Sequence, residues 1–331
     1  MLTLPKDPNN KHLPMMMPEN INGLGEEPRY NKNYNNFFKC LYNQDPDVSD
    51  PTKGNGAFYI LDCIKLLEVG EHLGAASAIR MIVEASLVRL NQVLWHHIAD
   101  RAEAWVMIAC RLKSPLMFRE AMIHLVGKFH VPNGIDTELL RRLENGPVAE
   151  TTWNLVTTKA KELKDKKLMI ERRLLDYFPP DMMHLENETT VPGRHIYGEA
   201  IYEWQALVLF RQYVASAYTA NYHHRANDGG IAFYRTIGDG GDTYLRPDTL
   251  ARFHVSFDMS AKGRRCLRDA VDKIKNEVKV IVAELLVDRS QAVRGPLDPR
   301  SDHLTCTEIR DDELPWYEAP AKNAEAEMNM D

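Results

Sequence analysis

From Ser260 onward the apolar residues Leu267, Val271, Ile274, Val278, Ile281 and Leu285 step by 4, 3, 4, 3 and 4. A spacing that alternates three and four keeps every one of these side chains on a single stripe of an α-helix, and no strand can do the same, because strand side chains alternate with period two. The stripe is three heptads of an a/d seam, long enough to fix a helix and short for a free-standing coiled coil. The seam therefore predicts either packing inside the chain or an interaction surface made of these six residues. Ser260 precedes the run and is the expected N-cap.

The same 3.6 periodicity recurs along most of the chain. The segment from Ala57 places Ile60, Ile64, Leu67 and Leu73 near one stripe, with Gly74 as a stop, and Ile79, Ile82, Val83, Ser86, Leu87 and Leu90 form the next face. Ser114-Pro115 opens a helix with a cap followed by a proline whose missing N–H costs nothing there. A long helix is predicted over roughly 148–178, closed by Pro179-Pro180, and a mostly apolar one from Ile196 to about Tyr222. Strand-like alternation is absent throughout. The predicted class is all-α, an irregular multi-helix array with disordered ends. The expected divisions are a disordered segment at 1–36, a first helical region at 37–130, a helical extension at 131–289 and an acidic extended tail at 290–331. Within that tail Trp316 and Tyr317 are the candidates for docking onto the body.

Charge separates the tail from the body. Residues 302–331 hold nine acids against two bases, while the whole 331-residue chain carries −6. The body is thus close to neutral, and no global field draws it to nucleic acid or to a membrane. The helix around 159–173 holds seven bases (Lys159, Lys161, Lys164, Lys166, Lys167, Arg172, Arg173) and three acids (Glu162, Asp165, Glu171). This is a solvated face, with two further readings: a landing place for the acidic tail, or a phosphate contact in a transcription-associated DNA-binding protein. The five cysteines are widely spaced with no C-x-x-C, so a reducing interior, cytoplasm or nucleus, is expected.

Two histidine pairs invite chemistry. His96 and His97 are helical neighbours and point roughly 100° apart, so they cannot share one ion from one helix face. H-E-x-x-H and His-Asp are both missing, and no metal or cofactor is expected. The string Y-H-H-R-A-N-D-G-G at 222–230 reproduces the H-H-x-x-x-D-G pattern of one class of acyltransferases, with His224 as general base and Asp228 as the structural acid. The competing reading makes His223, His224 and Arg225 the basic last turn of the preceding helix, stopped by Asn227, Gly229 and Gly230. The second reading is preferred, and no catalytic residue is assigned. The G-D-G-G-D run at 238–242 is read as a turn, since a calcium loop needs further acids.

Several stretches together resemble a known family. "FFKCLYNQDPDVSD" is similar to the end of a BTB/POZ core. "LGAASAIR", "QVLWHHIA", "SPLMFREAMIHLVGKF", "GDTYLRPDTLARFHVSFDMSAKGRR" and "LTCTEIRDDELPW" resemble segments of fungal BTB-domain proteins, over roughly 37–316. Residues 1–36 hold no counterpart of the strand-rich front half of that fold, as in a shortened version, a truncated gene model or a paralogue that has lost it. The resemblance implies a protein-binding adaptor, with homodimerisation and cullin-type ligase components as partners. The expected function is a non-enzymatic interaction module that presents helix faces and an acidic tail to protein partners.

Overall fold

The computed structural model describes residues 26–42, 44–50, 56–136, 147–183, 194–293 and 301–317. These residues are all-helical, with no strand among them. The first 25 residues, residues 184–193 and the acids from Glu318 to the C-terminus lie outside them. The helices are α1 (Glu26–Leu41), α2 (Ala57–His72), α3 (Ala76–Val88), α4 (Gln92–Asp100), α5 (Ala102–Leu112), α6 (Pro115–Lys128), α7 (Pro147–Leu175), α8 (Pro180–Met183), α9 (Arg194–Thr219), α10 (Ile231–Asp239), α11 (Pro247–Ser256) and α12 (Ala261–Val282). No described helix is long and apolar enough to cross a membrane.

The chain forms two compact units. Among the described residues, the first comprises those up to Asp100 with Ile108–Ser114, and the second Arg101–Met107 with those from Pro115 to Tyr317. In the first unit α1 packs on α2 and α3. Helix α1 begins at Glu26, inside the segment expected to lack structure. The reason is tertiary. Phe37 and Cys40 are buried, and the buried Asn36 amide closes a pair of hydrogen bonds with the backbone of Asp47, donating to its carbonyl at 2.9 Å and accepting from its N–H at 2.8 Å. An Asn-rich stretch has no apolar period to announce this. Elsewhere in the unit Tyr59 donates to the Ser86 carbonyl at 2.8 Å, and Arg111 donates to both carboxylate oxygens of Glu71 through Nε and Nη2. The Ser114 hydroxyl donates to Glu84 at 2.6 Å, just ahead of Pro115.

In the second unit α12 is the central element, packed by α9, α10 and α7, while α6 lies on α7. Ser260 caps α12, accepting from the Gly263 N–H at 3.2 Å. Leu267, Val271, Ile274, Val278 and Leu285 are all at most 3% exposed and Ile281 is partly covered, so the heptad seam is filled by the chain's own helices. On the helices packed against it, Ala206, Leu207, Phe210 and Val214 of α9 and Tyr234 and Ile237 of α10 are all fully buried. Helix α9 ends at Thr219 rather than near Tyr222. Asn221 adopts φ 58°, the Asn221 N–H bonds the Tyr218 carbonyl, and the Tyr222 N–H reaches back to the Ala217 carbonyl at 2.9 Å. This left-handed residue with its crossed hydrogen bonds terminates the helix, a place where Asn substitutes for Gly. The stop is therefore Asn221, not Asn227, Gly229 and Gly230, and the His-His-Arg triplet lies beyond the helix.

Candidate functional site

His223–Gly230 is a connector held from beneath by α7. Glu171, 2% exposed, accepts from the His224 backbone N–H at 2.8 Å, from His224 Nδ1 at 2.6 Å and from the Tyr234 hydroxyl at 2.6 Å. Burial pushes the Tyr234 phenol far up, and the Glu171 charge adds to it, so the phenol stays a donor. One turn earlier on α7, Lys167 is also buried and donates to the Gly229 carbonyl at 2.9 Å. Burial lowers its pKa against the pull of nearby Cys306 and Glu171. Asp228 accepts from the N–H groups of Gly230 at 2.9 Å and Ala232 at 3.0 Å, closing the first turn of α10. Both residues of the acyltransferase-like string thus have structural partners: His224 anchors the loop to α7, and Asp228 starts α10.

The G-D-G-G-D run wraps over a buried ammonium. Lys275, 3% exposed, donates to the Gly241 carbonyl at 2.7 Å and the Leu245 carbonyl at 3.3 Å, and lies 5.6 Å from the Tyr244 ring centre. The loop's inward carbonyls already serve a cation, while Asp242 faces solvent. Among the described residues no group of three His, Cys, Asp or Glu side chains is placed to hold a metal ion.

Among the described residues of this unit, exposed apolar side chains occur where the chain passes from α11 to α12. Val255 is 87% and Phe257 58% exposed, and the Phe253 and Phe257 rings stack with centroids 4.8 Å apart. Five bases and one acid fall between Arg252 and Arg268. Arg252, Lys262, Arg264, Arg265 and Arg268 are all exposed, and the acid, Asp258, pairs with Arg264 at 2.8 Å. Four of these bases occupy the first two turns of α12, the positive end of the helix dipole, where charge of that sign is least expected. In sequence the five bases lie on either side of the stacked phenylalanines. Sequence reasoning passed over this corner. Its signals were the i, i+4 pair Phe253/Phe257, which faces out, and the density of bases at a helix start.

The tail segment 301–317 lies along α6 and reaches α7. His303, Leu304, Thr305, Cys306, Ile309 and Leu314 are buried. Trp316 meets Phe118 edge-to-face at 5.3 Å, and Tyr317 is 44% exposed. Arg119 pairs with Asp311 and donates to the Ile309 carbonyl, and Lys159 pairs with Glu313 at 2.7 Å. Of the basic residues at 159–173, Lys159 takes the acid from this segment, whereas Lys166 and Arg173 turn to Glu284.

With this geometry in place, comparison with protein families gives a match. The fungal FF-domain family model fits residues 179–284, about a third of the chain, from the proline stop after α7 to the end of α12. FF domains are a family of protein-interaction modules. The expected BTB/POZ membership is overturned by this match, and the homodimer and cullin partners that rested on it are withdrawn. The quoted BTB-like pieces are amphipathic helix steps and turns, which any packed helical array requires. Comparison with curated proteins and with solved structures finds no match.

Proposed function

We propose that this chain is a non-enzymatic protein-interaction module whose α11–α12 corner receives an acidic segment of a partner protein. The observation that carries the reading is the exposed Val255–Phe257 cluster flanked by five bases, inside the span matched by the FF-domain family model. A patch of this kind offers apolar area for the contact and a field that steers an acidic chain onto it. The bonds of His224 and Asp228 to their own fold support a structural role for that loop. Cys40, Cys63, Cys110, Cys266 and Cys306 are all free thiols, which supports residence in a reducing interior, cytoplasm or nucleus. The helix face at this corner, rather than the docked 301–317 segment, is what the molecule presents.

The test is fluorescence anisotropy of a labelled Glu/Asp-rich peptide with one central apolar residue, titrated with the full chain. Phe257→Ala and the pair Arg264→Glu/Arg265→Glu are each expected to weaken binding by about tenfold or more, with far-UV circular dichroism unchanged. An affinity indifferent to both variants would sink the reading, as would preferential binding of a DNA duplex of the same charge.

A further inference from the structure

The segment 301–317 is fastened to α6 by a row of four ionisable side chains. Asp302 Oδ1 lies 2.5 Å from His303 Nδ1, His303 Nε2 lies 2.8 Å from His124 Nδ1, and His124 Nε2 lies 3.1 Å from Glu120 Oε1. Glu120, His124 and His303 are at most 2% exposed. The Glu120 carboxylate also fastens the segment after α12, accepting from the Ser290 hydroxyl at 2.6 Å and the Gln291 N–H at 2.8 Å. The Ser290 oxygen lies 3.3 Å from His124 Nε2 as well.

Proton counting fixes the state of this row. Each of the three contacts needs one proton between its two heavy atoms. Two neutral imidazoles supply two. The fully bonded row therefore carries a third, with one imidazolium shared between two carboxylates. All four ring nitrogens are then committed, three as donors and one as acceptor. No ring nitrogen is left for a fourth proton: adding one sets two N–H groups against each other. In water the same two imidazoles take up four protons once the pH falls below about 6.5.

We propose that this row is a proton-operated latch: acidification detaches residues 301–317 from α6 and bares the apolar surface they cover. Below the ordinary histidine range the detached state binds up to one proton more than the attached state, so attachment is firmest near that range, where the two states bind equally, and weakens as pH falls below it. Burial pushes the His303 imidazole down against its bond to Asp302, which has the same sign. The His303 bond holds the Asp302 carboxyl well below its usual range. Burial would raise Glu120, but its bonds to His124, Ser290 and Gln291 bring it below the usual value. Both carboxylates thus stay charged through the working window. The neighbouring charges have their own partners or lie outside the row. Lys128 of α6 acts on His303 and Asp302 through space, and Asp288 accepts from Thr305 and the Ser290 N–H. Arg289 pairs with Glu308, Arg235 of α10 donates to Ser301, and Asp239 lines the adjoining cavity. That cavity, about 520 Å³ and bordered by His124, Ser290, Ser301 and His303, gives protons a route to the row.

The buried thiol of Cys306 reports detachment. The full chain is labelled with 4,4′-dithiodipyridine, which reacts in acid, and modification of Cys306 is read by peptide mass spectrometry relative to the urea-denatured chain at each pH. Between pH 6.5 and 5 the relative rate is expected to climb, approaching about tenfold per pH unit for one proton. Helical circular dichroism is expected to stay constant. His303→Gln, and independently His124→Gln, should flatten the slope to less than about threefold per unit, because a glutamine amide can accept as well as donate and so removes the conflict between two N–H groups in the attached row. A wild-type rate independent of pH overturns the latch. So does a slope unchanged in the variants, or a rise in labelling that merely follows loss of helix.

Discussion

Glu171→Ala is expected to destabilise the second unit by about 3–5 kcal/mol, read as a lower urea midpoint of its unfolding. The carboxylate is the common acceptor for Tyr234, which comes from α10, and for both the backbone and the ring of His224. Truncation leaves the Tyr234 hydroxyl, on a side chain 0% exposed, without its acceptor. Each buried donor orphaned in this way costs about 1–3 kcal/mol, and the emptied carboxylate volume adds a cavity. Glu171→Gln keeps one acceptor oxygen and the volume, and is expected to cost about half as much. His224→Ala removes a donor while the acceptor keeps two others, so a loss of about 1–2 kcal/mol is expected. Binding of the acidic peptide at Phe257 should be untouched by it. The order Glu171→Ala, Glu171→Gln, His224→Ala is the informative result, because an active-site histidine would show the reverse ranking in activity against stability.

The parts of this molecule legible in sequence are those written at short range. The 4-3 step from Leu267 to Leu285, the Ser260 cap and the proline stop after α7 each depend on neighbours within a few residues, and each element stands where it was expected. Gly74 takes φ 66° just beyond α2, as a helix stop requires. What sequence could not give depends on contacts far apart in the chain. His124 and His303 are 179 residues apart, and nothing in the pattern around either one names the other. A trace was nevertheless present: Glu120 and His124 stand at i, i+4 on α6, a helix whose other inward positions are apolar or glycine. Two ionisable groups on a helix face that the fold buries must find partners, so once that burial is known the pair calls for a polar segment opposite. The H-H-x-x-x-D-G string carried two readings, and the preferred one, a helix end, placed the stop beyond the Asn221 that terminates the helix. Its spacing is that of a catalytic loop, but the same residues serve equally well to pin a connector to α7 and to start α10. Motif spacing fixes which side chains are near one another along the chain, not what lies opposite them.

Gly127→Ala offers the sharpest test of how the 301–317 segment is seated. At a helical position, Ala in place of Gly should stabilise by about 0.5–1 kcal/mol through backbone entropy alone. Here a β-carbon at 127 would stand 2.7 Å from the His303 ring and deep inside the contact distance of the Leu304 carbonyl oxygen. The backbone of the segment cannot rotate away as a flexible side chain would, so it must lift off α6. The covering contacts of Leu304, Ile309 and Leu314 are then loosened together, and the His303–His124 bond opens with them. The expected net result is a loss of about 1–3 kcal/mol, the cost of overpacking, in place of the gain that helix propensity alone dictates. Cys306 should become reactive at neutral pH, because removing the fit of the backbone frees the segment without a proton. Gly127→Val, bulkier and β-branched, should do so more completely. A stabilised protein with Cys306 still protected would mean that the segment does not lie against Gly127 in solution, and the seating described for it would fall.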